Sequence, residues 1–360
     1  MTLARTNPHS RFTPAIQPLL ADPNGRYVLM DIGARGGMSP VWEPLEPLAD
    51  FIGFEPDLAE CDRLNDQFQR QGRTRSRIYP RAIAGRTGLH RFHVTQLPYS
   101  SGLYRGNDVW LERFPFTTLK VMREVQVEAV TLDHFCGEAA IDHVDFVKID
   151  VEGAECDVLE GARDTLSSRR VLGIMTEFWW DPVIKGQRAF AEIDIFLRDQ
   201  GFRFFDLQLH RYARSTLPAG HLQEGMDPNG RKVVMPRVDI GYGQAWTGDA
   251  LYFRDPVGEV RGGRRSIAWD RETLLRLCGL LDVFDYGDCA LEVLETFRTT
   301  VLDGVDVDAL MDALVPTVHG VAIGYGEYRD LSITVRQSFN RRAFGLSDWL
   351  PPATGYRKER

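Results

Sequence analysis

The chain has 360 residues, room for one large α/β domain with an appendage or for two domains at roughly 100–200 residues each. With 43% hydrophobic, 26% charged and 11% aromatic residues, its composition excludes wholesale disorder, a collagen-like repeat and a disulfide scaffold. Lys and Arg number 43 against 51 Asp and Glu, a net charge of −8, which argues against nucleic acid as the main substrate because phosphates are repelled.

Residues 1–25 carry Pro8, Pro14, Pro18, Pro23 and Gly25 among polar side chains and read as an extended N-terminal arm. Neither a signal-peptide core before Pro18 nor a run of about 18 apolar residues is present, so no transmembrane segment is expected and the cytoplasm is the expected compartment. Cys61, Cys136, Cys156, Cys278 and Cys289 are far apart and form no Cys-x-x-Cys pair. Reduced, mostly buried thiols follow, and zinc does not.

From Tyr27 the texture changes. Tyr27 to Ile32, Phe51 to Phe54 and Ile78 to Ala84 read as buried strands, and Leu58, Cys61, Leu64 and Phe68 recur at helical spacing, predicting a helix over about 57–70. Leu89 to Val94 and Val125 to Val130 alternate apolar and polar positions, as half-buried strands do. Val144 to Val151 is the next strand, and Val158, Leu159, Ala162 and Leu166 mark the inner face of one following helix. Strand Val171 to Phe178, a helix over about 188–200 ending at Gly201, and strands Phe202 to Leu207 and Ala250 to Phe253 complete the series. This rhythm predicts a doubly wound, mostly parallel α/β sheet over 26–255. Beyond the Arg261–Arg265 break, read as a solvated linker, two helical faces predict a helical C-terminal extension over 256–360.

Strand one ends in Asp31-Ile32-Gly33-Ala34-Arg35-Gly36-Gly37, an acid followed by a glycine-rich turn expected to lead into a helix. Gly33 and Gly36 let a ligand approach the backbone at the strand edge where open α/β sheets bind ligands. The spacing fits neither Gly-x-Gly-x-x-Gly nor a P-loop. A carboxylate at this tip suits a cationic amine better than a pyrophosphate, and Glu55, at the tip of strand two, suits ribose hydroxyls. Asp31 and Glu55 together point to S-adenosylmethionine.

Asp31-Ile32-Gly33-Ala34, Phe54-Glu55-Pro56, Thr131-Leu132-Asp133, the block Val144-Asp145-Phe146-Val147-Lys148-Ile149-Asp150-Val151-Glu152-Gly153-Ala154-Glu155 and the strand ending in Glu177 resemble the successive motifs of FkbM-type S-adenosylmethionine-dependent methyltransferases. The resemblance spans about residues 28–207. It implies a Rossmann-like class I methyltransferase fold and O-methylation of a sugar, glycan or natural-product acceptor. It also implies that Asp31, Gly33 and Ala34 line the methionine end, that Glu55 holds the ribose, and that Ala82 lies near the adenine. Asp150 would sit beside the sulfonium. Arg35 and the extra glycine depart from the family's loop and bear on the contacts to the carboxylate side of the cofactor.

A hydroxyl acceptor needs help to lose its proton, and acids gather at adjacent strand ends: Asp150, Glu152, Glu155 and Glu177. Asp150 and Glu152, on one side of an extended strand, are the expected catalytic pair, because close carboxylates raise one another's pKa. Glu155 reads as a helix-capping residue. A divalent cation held by these acids is the alternative, and no metal is expected. His210 opens a connection over 208–248, expected to lack secondary structure and to act as a substrate lid. Phe178-Trp179-Trp180 and Tyr99 to Tyr104 are candidates for contact with the acceptor or adenine. Two other readings compete: a non-catalytic scaffold partnering a glycan-assembly enzyme, and a nicotinamide-dependent oxidoreductase.

Overall fold

The computed structural model describes residues 7, 9–20, 26–115, 119–217, 222–226, 231–236, 243–263 and 266–344. Its strands are β1 (Tyr27–Ile32), β2 (Ala49–Phe54), β3 (Ser76–Tyr79), β4 (Ala82–Ile83), β5 (Gly88–Thr95), β6 (Val121–Val130), β7 (Phe146–Ile149), β8 (Gly173–Trp179), β9 (Phe202–Tyr212), β10 (Leu222–Met226), β11 (Lys232–Pro236) and β12 (Gln244–Arg254). The main sheet has the order β3-β2-β1-β7-β8-β12-β9. Its first five strands are parallel, whereas β12 runs antiparallel to both neighbours. Strand order reverses beside β1, so the β1 and β7 tips open a crevice there. This is the doubly wound Rossmann-like architecture that the alternating rhythm predicted. A smaller sheet, β4-β6-β5, and the hairpin β10-β11 stand apart from it.

Helices cover both faces. One face is packed by α1 (Phe12–Ile16) and α2 (Leu58–Arg70), and the short α3 (Asp108–Leu111) packs through Trp110 and Leu111 against the cluster of Leu119, Trp179 and Trp246. The other carries α4 (Leu132–Glu138), α5 (Glu155–Glu160), α6 (Arg163–Ser168) and α7 (Phe190–Asp199). After α8 (Pro256–Arg261), helices α9 (Arg271–Val283), α10 (Gly287–Phe297) and α11 (Val307–Leu314) return to the first face; α12 (Tyr325–Phe344) follows them.

Several expectations change, each for a local reason. The N-terminal segment is helical over Phe12–Ile16 and Gln17–Leu20, and buries Phe12 and Ile16 against the C-terminal helices. The C-terminal helices in turn cover the sheet: every residue from Thr273 to Val283 of α9 is buried, the signature of a helix enclosed on all sides. The strand expected over Ile78 to Ala84 breaks at Pro80, which has no amide to donate, and Ala82–Ile83 pairs with β6 in the smaller sheet. The glycine-rich turn leads into a 3₁₀ segment, Pro40–Leu48, whose Pro44 and Pro47 cannot sustain α-helical hydrogen bonding. The helix expected over Val158 to Leu166 divides at Gly161 into α5 and α6. The expected lid contains β10 and β11, and His210 is on strand β9. Arg264 and Arg265 of the basic break lie outside the described residues.

Candidate active site

A cavity of about 920 Å³ opens at the C-terminal edge of the parallel strands, walled by the smaller sheet and the Tyr99–Leu103 segment. That is the upper end of the roughly 300–1,000 Å³ of small-molecule sites. The β1–β7 register sets Asp31 beside Lys148. Lys148 Nζ lies 3.3 Å from Asp31 Oδ1 and 3.2 Å from Asp150 Oδ2. Burial alone would push the ammonium down, but the two carboxylates outweigh it and hold Lys148 above its ordinary value. Asp31 is 2% exposed; burial pushes its carboxyl up, and Lys148 partly offsets this. One ammonium therefore faces two carboxylates, and a second cation is favoured here.

Gly33 has a φ of +92°, and a Cβ there would stand 1.9 Å from the Asp150 carbonyl oxygen. Only glycine lets the β1 loop touch the β7 tip this closely. Gly36, also in the left-handed region, would meet the Tyr99 ring at 3.3 Å. Gly33, Gly36 and Ala82 line the cavity. Ala34 does not: it is buried beneath the loop, its amide donating to the Phe54 carbonyl at 2.9 Å. Glu55 faces the cavity and accepts the Asp57 amide at 2.8 Å. Arg35 lies 3.6 Å from Glu55 and 2.6 Å from Asp57, so the residue that departs from the family loop steadies the expected ribose acid. Burial pushes Glu55 up, with that amide and Arg35 opposing it.

Asp150, Glu152 and Glu177 converge, each offering an oxygen within 4.8 Å of the others. They do so by a route the sequence did not indicate. Strand β7 stops at Ile149, and a turn with Glu152 at φ +57° and Gly153 at φ +97° carries Glu152 toward β8. Burial, then Asp150 and Glu155, push the Glu152 carboxyl well up; burial, then Glu152 and Asp150, do the same to Glu177. Three oxygens so placed have the donor chemistry for a hard divalent cation, and among the described residues this is the grouping that does. Glu155, expected to cap the following helix, is instead its first residue, and one of its oxygens accepts the Val151 and Gly153 amides of the preceding turn at 3.1 Å each.

The far wall comes from the antiparallel strands. Register sets Glu177 beside Asp249 and Thr247 beside His210. The Trp179 indole donates to Glu177 at 3.2 Å, while Trp246 and Tyr212 stack edge-on at 4.9 Å to extend an aromatic surface. Of the Phe178-Trp179-Trp180 triplet, only Trp179 lines the cavity; Phe178 is core and Trp180 is exposed. Burial, then Asp150, push Asp249 up to about 6. Lys148, Thr247 and Asp249 escaped sequence reasoning. Their signal was a polar residue inside an otherwise apolar strand, which only a partner elsewhere in the fold explains.

A sheet of this order with a cavity at its C-terminal edge is the architecture of the class I methyltransferase fold. Residues 31–204 match the family model described as the methyltransferase FkbM domain, a family whose cofactor is S-adenosylmethionine. The chain is 29% identical over 167 residues to the 2-O-methyltransferase NoeI of Sinorhizobium fredii, a match covering 44% of this chain and 66% of that relative. Among solved structures it is similar to magnesium protoporphyrin IX methyltransferase of Synechocystis, with 11% identity, 69% of this chain, 80% of that one and a TM-score of 0.30. It is also similar to a precorrin-6y C5,15-methyltransferase of Geobacter metallireducens, with 9% identity, 67% and 87% coverage and a TM-score of 0.32. At these scores the fold assignment rests on the strand order itself. No helix among the described residues is long and apolar enough to cross a membrane.

Proposed function

We propose that the chain transfers a methyl group from S-adenosylmethionine to a hydroxyl of a sugar, glycan or natural-product acceptor, in the cytoplasm and without nucleic acid as substrate. The convergence of Asp31, Lys148 and Asp150 with Glu55 in one cavity carries this reading. The donor set fits the cofactor: carboxylates for its ammonium, an acid for its ribose, and a glycine cradle that a Cβ would fill. When bound, the cofactor supplies a methyl group already activated on a sulfonium.

The protein's work is alignment. Asp31 and Asp150 hold the methionine end, Gly33 and Gly36 keep the loop open to it, Glu55 holds the ribose and Ala82 faces the base. Asp150 and Glu152, with Glu177, hold the acceptor hydroxyl at the methyl end, and the aromatic wall of Trp179 and Trp246 takes the apolar face of a ring. The relative's printed name, a 2-O-methyltransferase, supports oxygen as the acceptor atom. A non-catalytic scaffold would have no use for buried acids with raised pKa values in a cleft, and the acid at the β1 tip disfavours a nicotinamide pyrophosphate.

The test is binding and transfer with labelled S-adenosylmethionine and a pool of glycans and nucleotide sugars. Asp31→Ala and Glu55→Ala are expected to weaken cofactor binding roughly ten- to hundredfold, the loss of one charged hydrogen-bonding partner. Glu152→Gln is expected to suppress transfer while binding survives. Chelation with EDTA should leave transfer within about twofold, since no step here needs an ion; strict dependence on added Mg²⁺ would reassign the three acids as ligands. Unaltered affinity in Asp31→Ala would sink the site assignment.

A further inference from the structure

His210 stands on β9 in the wall of the same cavity, across from Thr247 in register. Its Nε2 is 3.6 Å from Asp249 Oδ2, its side chain is 14% exposed, and buried Nε2 has no hydrogen-bond partner among the described residues. A buried polar nitrogen left without a partner is a standing penalty, and one that lines a ligand cavity has a functional reason to persist. We infer that His210, oriented by Asp249, is the base that receives the proton of the acceptor hydroxyl.

This rests on the proposed methyl transfer and assigns its proton. Asp249 Oδ2, 3.6 Å from Nε2, is too far for a hydrogen bond but close enough for its charge to favour a proton there, which leaves Nδ1 with its lone pair. As the acceptor oxygen bonds to the methyl carbon, the carbon–sulfur bond breaks with both electrons remaining on sulfur, and the hydroxyl proton moves to Nδ1. The resulting imidazolium is stabilised by Asp150 and by the Asp249 carboxylate 3.6 Å from Nε2. The titratable groups that line the cavity together with His210 are, among others, Asp249 on β12, Glu177 on β8, Asp150 beyond β7 and Tyr212 on its own strand, with Lys148 in contact with Asp150. Burial pushes the imidazole below its ordinary value, so it is neutral and able to accept at neutral pH. Glu152 and Glu177 are crowded by each other and by Asp150 and pushed toward the protonated form. They are better donors to acceptor oxygens than bases. Asp249 is a positioning residue in this scheme.

The experiment measures transfer of label from S-adenosylmethionine to the hydroxyl acceptor across pH, alongside cofactor affinity. Wild-type kcat is expected to rise with pH along an acid limb centred below the ordinary histidine value of about 6.5. His210→Gln should lower kcat by about 10²–10⁴-fold, abolish that limb, and leave cofactor affinity within about twofold. Added imidazole should restore part of the activity of His210→Ala, which a merely structural histidine would not permit. His210→Gln with kcat within about threefold of wild type, or with its acid limb intact, overturns the assignment while the methyltransferase reading stands. A wild-type protein that binds the cofactor but labels no hydroxyl compound overturns that reading, and this inference with it.

Discussion

Glu155 holds two amides with one carboxylate oxygen at the turn after β7. Burial pushes that carboxyl up to about 7 against the opposition of those amides, and Asp249 is raised to about 6. Between about pH 4.5 and 7 the folded chain keeps protons that the unfolded chain, with carboxyl pKa values near 4, has released. The stabilisation is therefore fully present below the unfolded value and is lost as pH rises through the folded one. The urea midpoint of the cofactor-free protein should fall from pH 5 to 8, and Glu155→Gln, which keeps an acceptor oxygen and loses the titration, should flatten the decline. A midpoint that rises over this range would show that other groups dominate. A structural role for Glu155 was legible from its place at the start of a helix, but not that it would hold the turn before the helix rather than cap the helix. Its raised pKa was not, because burial is a property of what packs above it.

At the scale of elements, the site depends on two turns meeting. The β1 loop passes so close to the β7 tip that a Cβ at Gly33 would stand 1.9 Å from a backbone oxygen, with φ at +92°. Gly33→Ala is expected to destabilise the protein by about 1–3 kcal/mol through left-handed backbone strain. It should also weaken cofactor binding at least about tenfold, as the loop withdraws from Asp150. Gly72→Ala is the control: it shares the positive φ but has nothing within 4 Å of a Cβ, so it should lose stability and keep affinity. Calorimetry and cofactor titration separate the two, and equal affinities would deny the loop its role. The glycines were readable in the sequence as a ligand-binding turn. Which carbonyl they approach was not, since it lies just past the end of a strand distant in the chain.

The whole molecule is tied together by α9. Arg276 of this helix reaches the floor of the sheet, its Nη1 2.8 Å from Asp145 and 2.6 Å from the Arg26 carbonyl, while Asp145 accepts the Val28 amide. In the core that α9 shares with the sheet, Trp42, Phe146, Phe253 and Phe284 interlock, their ring centroids 4.7–5.9 Å apart where they meet. We propose that residues 26–314 fold as one unit, with the expected extension serving as the cover of one sheet face. Arg276→Met strands a buried carboxylate and should cost about 3–5 kcal/mol, much of it recovered when Asp145→Leu is added. One cooperative transition, shifted as a whole, is the expected result in chemical denaturation. Two transitions would restore an independent C-terminal domain.

The local pattern of apolar residues was enough to place the strands of the main sheet and the acids near their tips, Asp31, Glu55 and Glu177. Hydrophobic periodicity and chain breaks are local, and a strand's end places its own last residues. The tertiary structure alone decided that β12 inserts between β8 and β9, bringing Asp249 and Thr247 to Glu177 and His210. It also decided that a left-handed turn at Glu152, rather than an extended strand, joins that carboxylate to Asp150. Both outcomes depend on pairings between distant segments and on the burial they create, and no periodicity records them.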